Sequence, residues 1–214
     1  MANAAELMDR QYRYQRYVYD LTRKYYLLGR DVLLDEIQLQ PGDTVLEIGC
    51  GTARNLCRLA HRYPDHALYG LDASTVMLAT AQKTWGQHRC FRNIHLQQGL
   101  AETWNPLDFG LQRPFDHLIF SYSLSMMPDW RSALDHALAH LAHNGTLHIV
   151  DFSLQRQLPP WFGRWLKRWL HWFNVHPEPE LASHLLKLQT ETHGQCQLKT
   201  CYGDYAILVH FQKK

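Results

Sequence analysis

Apolar residues in this chain concentrate in short runs that alternate with longer segments of helical character. Short apolar, β-branched runs are typical of strands buried on both faces of a parallel sheet. We predict such strands at residues 44–48, 67–71, 94–98, 115–120 and 146–152. We predict helices between them at residues 55–63, 74–85 and 129–143, the last ended by Asn144-Gly145. Strands alternating with helices in this way predict a doubly wound, mostly parallel α/β sheet.

The two ends of the chain extend this pattern. Residues 8–37 contain no proline and predict one or two helices before the first strand. Near the C-terminus, a helix is expected to run through Leu188. Residues 195–200 and 204–212 then predict two strands joined at Tyr202-Gly203, which form a terminal hairpin with one antiparallel strand.

The first predicted strand leads into a glycine turn that opens a helix. Gly49 and Gly51 remove side chains where the backbone must turn and approach a ligand, and the helix beginning near residue 52 points its free N–H groups there. A dinucleotide site needs a third glycine where Arg54 stands. The spacing of Glu47, Gly49, Gly51 and Ala53 instead resembles the loop of class I S-adenosylmethionine (SAM) methyltransferases. The alternative is a tight turn without a ligand.

Two further strand ends bear on the cofactor. Asp72 lies about twenty residues beyond the glycine loop, where a nucleoside-binding unit places an acid on the ribose hydroxyls. Its alternative role is to cap the next helix, which Ser74 could also do. After Gly99, methyltransferases often carry an acid near the adenine, but Leu100 stands here. An adenine contact at this position is therefore expected to be apolar or made by the backbone.

Composition limits the class of protein. A chain of 214 residues suits one domain, and a net charge of +2 does not indicate nucleic acid as a partner. The five scattered cysteines indicate reduced thiols in a cytoplasmic protein, and neither a signal peptide nor a membrane span is predicted. His136, His140 and His143 are expected on a solvated helix face, so no metal site is predicted.

Residues 161–173 hold four of the seven tryptophans in an amphipathic helix. Its tryptophans, phenylalanines and leucines fill one half of the helix, and the basic residues fill the other. A tryptophan-rich face beside a basic face is typical of a helix lying at the headgroup boundary of an anionic membrane. The alternatives are packing over the sheet edge or contact with a protein partner.

Three outer segments resemble one particular family. They are residues 19–31 (YDLTRKYYLLGRD), residues 121–128 (SYSLSMMP), and the tryptophan helix followed by Val175-His176-Pro177. Together with the glycine loop, these segments resemble the diacylglycerylhomoserine N-methyltransferases of bacterial betaine-lipid synthesis, over nearly the whole chain. That family transfers three methyl groups from SAM to the amine of a lipid-borne homoserine. Residues 121–124 also depart from the Asn/Asp-Pro-Pro-aromatic motif of enzymes that methylate bases or protein amides.

The resemblance implies an organisation for the whole chain. It implies one Rossmann-like domain over residues 1–214 with a seven-stranded sheet. The expected parts are a helical lid at 1–40, a SAM-binding core at 41–152, an amphipathic membrane and substrate segment at 153–194, and a hairpin at 195–214. The expected location is cytoplasmic, peripheral on the inner face of an anionic membrane. The enzyme that makes the homoserine lipid is an expected partner, whereas nucleic acid is not.

Four sets of site residues are expected from the residue pattern and the resemblance together. The cofactor, with S-adenosylhomocysteine (SAH) as its product, is expected at Glu47, Gly49, Cys50, Gly51, Asn55, Asp72, Ala73, Met77, Gly99, Leu100, Ala101 and Ser121. The reacting groups are expected among tyrosines, namely Tyr19, Tyr25, Tyr26 and Tyr122, whose ring faces tolerate a growing ammonium. Cations for the substrate carboxylate are expected at Arg23, Lys24, Arg30 and Arg156. Membrane contact is expected from Trp161, Trp165, Trp169, Trp172, Arg164, Lys167 and Arg168.

Two other functions remain open from the sequence. A phosphatidylethanolamine N-methyltransferase or a quinone-precursor C-methyltransferase would also need SAM and a lipid acceptor. A non-catalytic membrane-binding protein could retain the same nucleoside fold.

Overall fold

The computed structural model describes residues 27–172 and 175–214. The predictions for Tyr19, Tyr25, Tyr26, Arg23 and Lys24, and for helices before residue 27, lie outside the described residues. The strands are β1 Val45–Ile48, β2 Leu68–Asp72, β3 Ile94–Gln98, β4 Phe115–Ser121, β5 Leu141–Phe152, β6 Gln195–Cys201 and β7 Ala206–Gln212. The helices are α1 Arg30–Glu36, α2 Arg54–Arg62, α3 Thr75–Trp85, α4 Trp130–Ala139, α5 Pro160–Trp172 and α6 Leu181–Thr192. Short 3-10 turns lie at Arg89–Asn93, Pro106–Phe109 and Leu124–Met126.

The seven strands form one sheet in the order β3-β2-β1-β4-β5-β7-β6. Strands β1 to β5 are mutually parallel, and β7 lies antiparallel between β5 and β6. This confirms the predicted doubly wound sheet with a C-terminal hairpin. Because β1 pairs with β2 on one side and β4 on the other, the strand order reverses there. Ligands of such sheets bind beyond the carboxyl ends of the strands at this switch point.

Apolar layers cover both faces of the sheet. On one face, α1, α2, α3 and α5 bury residues such as Leu33, Leu56 and Leu166 against the strands. On the other face, α4 and α6 bury residues such as Leu134 and Leu185. The central strands are therefore apolar on both sides, which is why they form continuous apolar runs in the sequence.

The start of β5 differs from the prediction. Helix α4 ends at Ala139 rather than at residue 143, and β5 begins at Leu141 rather than at residue 146. The Lys213 ammonium donates to the carbonyls of Leu138 (2.8 Å) and Leu141 (2.9 Å), so a side chain distant in sequence stabilises this helix end. Asn144 has the expected positive φ of 63° but sits within the strand, where the β4–β5 register shifts.

The predicted solvated histidine face was also wrong in part. His136 and His140 are half-buried around Trp104. The His136 Nε2 atom lies 2.6 Å from the Trp104 carbonyl oxygen, and the His140 ring centre lies 5.0 Å from that of Trp104. Trp104 lies after β3, far from these histidines in the sequence. The periodicity of the helix therefore could not predict this contact.

The left-handed backbone at Asn144 generates a stability prediction. Replacing Asn144, which is exposed, with Ala should lower the free energy of unfolding by about 1 kcal/mol, because a Cβ residue without a short polar side chain is strained at positive φ. The matched variant Asn144→Gly should change it by less than about 0.5 kcal/mol. Urea unfolding measures both values. Equal destabilisation by Ala and Gly would show that the backbone conformation is not the cause.

Candidate functional site

The glycine loop follows β1 and presses against the turn after β4. Gly49 has a φ of +75°, and a Cβ placed there would lie 2.6 Å from the Ser123 Cβ, so only glycine fits. The N–H groups of Gly49 and Cys50 both donate to the Leu71 carbonyl, at 2.8 and 3.0 Å. Ala53, where the methyltransferase pattern has its third glycine, has a φ of 58° and precedes α2. The loop is thus held by β2 on one side and by the β4 turn on the other.

A cavity of about 270 Å³ opens beyond the carboxyl ends of β1, β2, β3 and β4. Its lining includes nine predicted residues: Gly49, Gly51, Asp72, Ala73, Met77, Gly99, Leu100, Ala101 and Tyr122. It also includes residues that the sequence did not single out: Ile48, Leu71, Glu102, Ser123, Met126, Met127, Pro128 and Asp129. Most of the added residues belong to the segment after β4, beside the point where the strand order reverses.

Asp72 joins the end of β2 to the glycine loop. Its Oδ2 accepts the Gly51 N–H at 2.7 Å, and its Oδ1 accepts the Ser74 N–H at 2.9 Å. The Ser74 hydroxyl accepts the Met77 N–H at 3.3 Å, so Ser74 caps α3, and Asp72 does not act as the cap residue. Asp72 also lines the cavity, which leaves the predicted ribose contact geometrically open to it.

A small polar niche lies on the other side of Gly49. The predicted cofactor residues Glu47, Cys50, Asn55 and Ser121 line it, together with Arg30, Thr52 and Arg54. The Asn55 side-chain amide donates to Glu47 Oε1 at 2.6 Å. The Ser121 hydroxyl is buried and has no hydrogen-bond partner within the residues that the structure describes. The niche therefore offers a guanidinium, a carboxylate and a hydroxyl to a ligand.

Arg30 lies in this niche and not at an acceptor position. It is the first residue of α1 and is 7% exposed. Sequence reasoning assigned it to the substrate carboxylate, whereas the structure places it beside Glu47 and the glycine loop. Arg156, the other described residue of that set, is exposed and lines neither cavity. The Arg156 backbone N–H donates to Asp204 Oδ2 at 2.9 Å.

Tyr122 contributes its ring, and its hydroxyl is already engaged. The hydroxyl donates to the Leu28 carbonyl, and the ring packs edge-on against Phe152 with centres 4.6 Å apart. Burial raises the pKa of Tyr122 well above its ordinary value, and so do Tyr205 and Asp151 nearby. The phenol therefore stays protonated and cannot act as a base at neutral pH. It fixes the segment before α1 and presents a ring edge to the cavity.

Asp151 is a buried carboxyl that sequence reasoning missed. It accepts the N–H of Ser125 at 3.1 Å and that of Phe152 at 2.7 Å. Complete burial raises its pKa to about 6, against the effect of these hydrogen bonds. It thereby holds the 3-10 turn at Leu124–Met126, which borders the cavity. An acid inside the apolar run of β5 was the signal available in the sequence.

The charges around the cavity are all acidic. Asp72, Glu102 and Asp129 line it, and neither lysine nor arginine does so among the described residues. Hydrogen bonds from Ser132 lower the pKa of Asp129, so this carboxylate stays ionised. The rest of the lining is largely apolar, with three methionines, two leucines and Tyr122 among its larger side chains. This environment favours a cationic or amine ligand over an anionic one.

Helix α5 divides its apolar residues between two strips. Leu166 and Leu170 are buried in the core, and Trp169 is half-buried against the same core. In contrast, Trp161, Trp165 and Trp172 are 68%, 57% and 72% exposed. Arg164 and Arg168 are exposed as well. The expectation that all four tryptophans contact a membrane is therefore corrected for Trp169, which packs on the protein.

The segment that follows α5 contacts the turn that borders the cavity. After the helix, the His176 N–H donates to the Ser125 carbonyl at 2.8 Å, in the turn that borders the cavity. No helix among the described residues is long and apolar enough to cross a membrane.

Comparison with known sequences identifies the core of the chain. Residues 45–145 match the family described as "Methyltransferase domain". Trans-aconitate 2-methyltransferase from Azoarcus sp. is 27% identical over 141 residues, which cover 62% of this chain and 51% of that protein. The enzyme of the same name from Deinococcus radiodurans is 31% identical over 110 residues, covering 51% and 38%. The chain thus spans about half the length of these relatives or less.

Comparison with solved structures supports the fold. The plantazolicin methyltransferase BpumL, crystallised with a triazolic desmethylPZN analogue and SAH, superposes with a TM-score of 0.72 at 13% identity, covering 97% of this chain and 93% of that one. The YcgJ protein from Bacillus subtilis gives a TM-score of 0.64 at 18% identity, covering 87% and 98%. Residues 45–145 thus match a methyltransferase-domain family, and the strand order and the glycine loop agree with that match.

Proposed function

We propose that the protein is a SAM-dependent N-methyltransferase that methylates the amine of a lipid headgroup at a membrane surface. The proposed acceptor is diacylglycerylhomoserine, which would be converted to its trimethylated betaine. The observation that carries the proposal is the exposed strip of Trp161, Trp165 and Trp172 beside Arg164 and Arg168, on α5. His176, which follows this helix in sequence, contacts the turn that borders the cavity.

The residues around the glycine loop fit the cofactor. Asp72 suits the ribose hydroxyls, and the apolar surfaces of Met77 and Leu100 suit the adenine. Arg30 and Glu47 in the niche suit the carboxylate and amine of the methionine end. The sulfonium of bound SAM supplies an already activated methyl group. The chain's own residues must then position the acceptor amine and exclude water.

The charge of the cavity favours an amine acceptor. A protonated amine is attracted by the carboxylates of Glu102 and Asp129 at the cavity. The apolar surfaces of Met126, Met127 and Tyr122 in the same lining disfavour the charged form, which lowers the amine pKa and favours the neutral nucleophile. A carboxylate acceptor would meet like charges instead. For this reason we do not transfer the acceptor named by the trans-aconitate relatives to this chain.

The lipid assignment is supported by the outer segments. Residues 19–31, 121–128 and 161–177 resemble the diacylglycerylhomoserine N-methyltransferases, and the second and third meet where His176 contacts Ser125. Exposed tryptophans beside arginines bind the headgroup region of anionic bilayers. A peripheral position on the inner face of the membrane would bring the cavity to an acceptor whose acyl chains stay in the bilayer. The enzyme that makes the homoserine lipid is the proposed partner.

The Asp72 contact tests the cofactor site. Asp72→Ala should weaken SAH binding by about 1 to 3 kcal/mol, roughly fivefold to 150-fold, because it removes a half-buried acceptor from Gly51 and from the ribose. Isothermal titration calorimetry measures the affinity. The control is Asp65→Ala, which removes an exposed acid outside the site. Equal affinity for wild type and Asp72→Ala would exclude the ribose role.

Methyl transfer to defined acceptors tests the substrate. Purified protein with methyl-labelled SAM should label diacylglycerylhomoserine in anionic vesicles, through mono-, di- and trimethylated products. Phosphatidylethanolamine in the same vesicles, a quinone precursor and trans-aconitate should receive at least about tenfold less label. Preferential labelling of trans-aconitate would contradict the amine assignment, and preferential labelling of phosphatidylethanolamine would contradict only the homoserine headgroup.

The exposed strip of α5 tests the membrane contact. The double variant Trp165→Ser/Trp172→Ser should lose most sedimentation with anionic vesicles while keeping its SAH affinity, because both side chains are exposed. The control Leu186→Ser removes a half-exposed apolar side chain from α6 and should sediment like wild type. Unchanged sedimentation of the double variant would show that α5 only packs against the sheet. Trp169 is unsuitable for this test because it packs on the core.

A further inference from the structure

Three histidines form a continuous hydrogen-bonded row across the sheet. His117 of β4, His148 of β5 and His210 of β7 make up this histidine relay. His117 Nδ1 lies 3.0 Å from His148 Nε2, and His148 Nδ1 lies 2.8 Å from His210 Nδ1. The relay histidines line neither the cavity nor the polar niche, and nothing in the proposed function uses them.

A carboxylate stands at each end of the relay. Asp43, before β1, places Oδ2 3.1 Å from His117 Nε2. Glu36, the last residue of α1, places Oε2 2.9 Å from His210 Nε2. The second Glu36 oxygen accepts from the Lys199 ammonium of β6, which also faces Cys201. These are the ionisable groups that the described elements direct at the relay.

Three neutral imidazoles carry too few N–H groups to form all four hydrogen bonds of this row. Each neutral imidazole carries one N–H, and an ionised carboxylate carries none. The row has four contacts, so one contact would join two lone pairs. One additional proton removes the conflict. If it lies on His117 or on His210, His148 still donates to one neighbour and accepts from the other.

The burial of the groups agrees with a proton at the ends of the row. Burial lowers the pKa of His148 well below its ordinary value, and so do His117 and His210, so the central ring stays neutral. Partial burial acts against ionisation of Glu36, but the hydrogen bonds from Lys199 and His210 prevail and lower its pKa. The carboxylate at this end is therefore ionised and needs an N–H donor.

We propose that the histidine relay holds one proton more than three neutral imidazoles, and that this proton fastens the end of α1 to the sheet. Loss of the proton at alkaline pH opens the contact between Glu36 and His210, the more exposed end of the row. Helix α1 carries Glu36 at its last position and Arg30, in the cofactor niche, at its first. Cofactor affinity then falls with rising pH. This last step rests on the proposed function, whereas the proton count does not.

Other contacts of α1 limit the size of the effect. Asp31 pairs with Arg54 and Arg58, each at 3.0 Å, and Asp35 pairs with Arg58 at 3.2 Å. Arg62 donates to the Asp35 carbonyl at 2.9 Å. These contacts hold α1 to α2 at any pH near neutrality, so we expect loosening at Glu36 and not release of the helix.

The variant Glu36→Gln keeps the hydrogen bond to His210 but removes the need for the additional proton. A glutamine amide can donate N–H to His210 Nε2, so three neutral imidazoles and one amide complete all four contacts. Glu191→Gln is the matched control, because it removes the same charge from the exposed Lys187 pair on α6. The variant should fold normally, since its row is fully satisfied.

Imidazole ¹⁵N chemical shifts at pH 7.5 test the proton count. Wild type and Glu191→Gln should show one imidazolium within the relay, and Glu36→Gln should show three neutral rings. Unfolding should release this proton, so the wild-type folding constant should fall tenfold per pH unit where the unfolded histidines are neutral, with no such fall in Glu36→Gln. Three neutral rings in wild type, or a retained imidazolium in Glu36→Gln, would overturn the proposal.

SAH affinity at pH 7 and pH 9 tests the connection to the cofactor niche. Wild type should bind SAH several-fold more weakly at pH 9, and Glu36→Gln should bind equally at both. A wild-type affinity that stays constant while the relay loses its proton would overturn the connection. If neither wild type nor Glu36→Gln binds SAH, the result counts against the proposed function. The number of protons in the relay is then still tested by the ¹⁵N shifts.

Discussion

The contact between the glycine loop and the β4 turn is the constraint on which the site depends. Gly49 approaches Ser123 so closely that no side chain fits, and the Ser123 hydroxyl donates to the Ile48 carbonyl at 2.9 Å. Gly49 therefore borders both the cavity and the polar niche, and its backbone lies between them. A ligand with an apolar nucleoside end and a charged amino-acid end matches this division.

The same constraint orders the acceptor side. Because the turn after β4 is fixed to the loop, Met126 and Met127 keep their places in the cavity lining. The buried Asp151 stabilises the same turn by accepting the Ser125 N–H. The segment after α5 contacts this turn through His176. The exposed tryptophans therefore lie on a helix that is followed, a few residues later, by this contact with the cavity turn. The proposed membrane function follows from that contact together with the acidic cavity lining.

The sequence predicted the architecture well and the acceptor side poorly. The strand order and the antiparallel hairpin are confirmed, because they depend on local periodicity. The glycine motif falls within residues 45–145, which match a methyltransferase-domain family. Helix α4 was predicted too long, because Lys213, distant in sequence, satisfies its end. Arg30 was assigned to the substrate because spacing alone does not show which side of Gly49 a residue reaches. The three relay histidines lie on three different strands, so only the sheet register brings them together. The roles of the tyrosines before residue 27 and the division of the chain into segments stay predictions.

A crystal structure of the protein with SAH and a soluble homoserine headgroup analogue tests the central claim most directly. We expect the ribose hydroxyls on Asp72, the SAH carboxylate on Arg30, and the analogue's amine in the larger cavity beside Met126 and Asp129. A complex in which SAH lies on one side of Gly49 only, or in which the analogue binds outside that cavity, would contradict this claim.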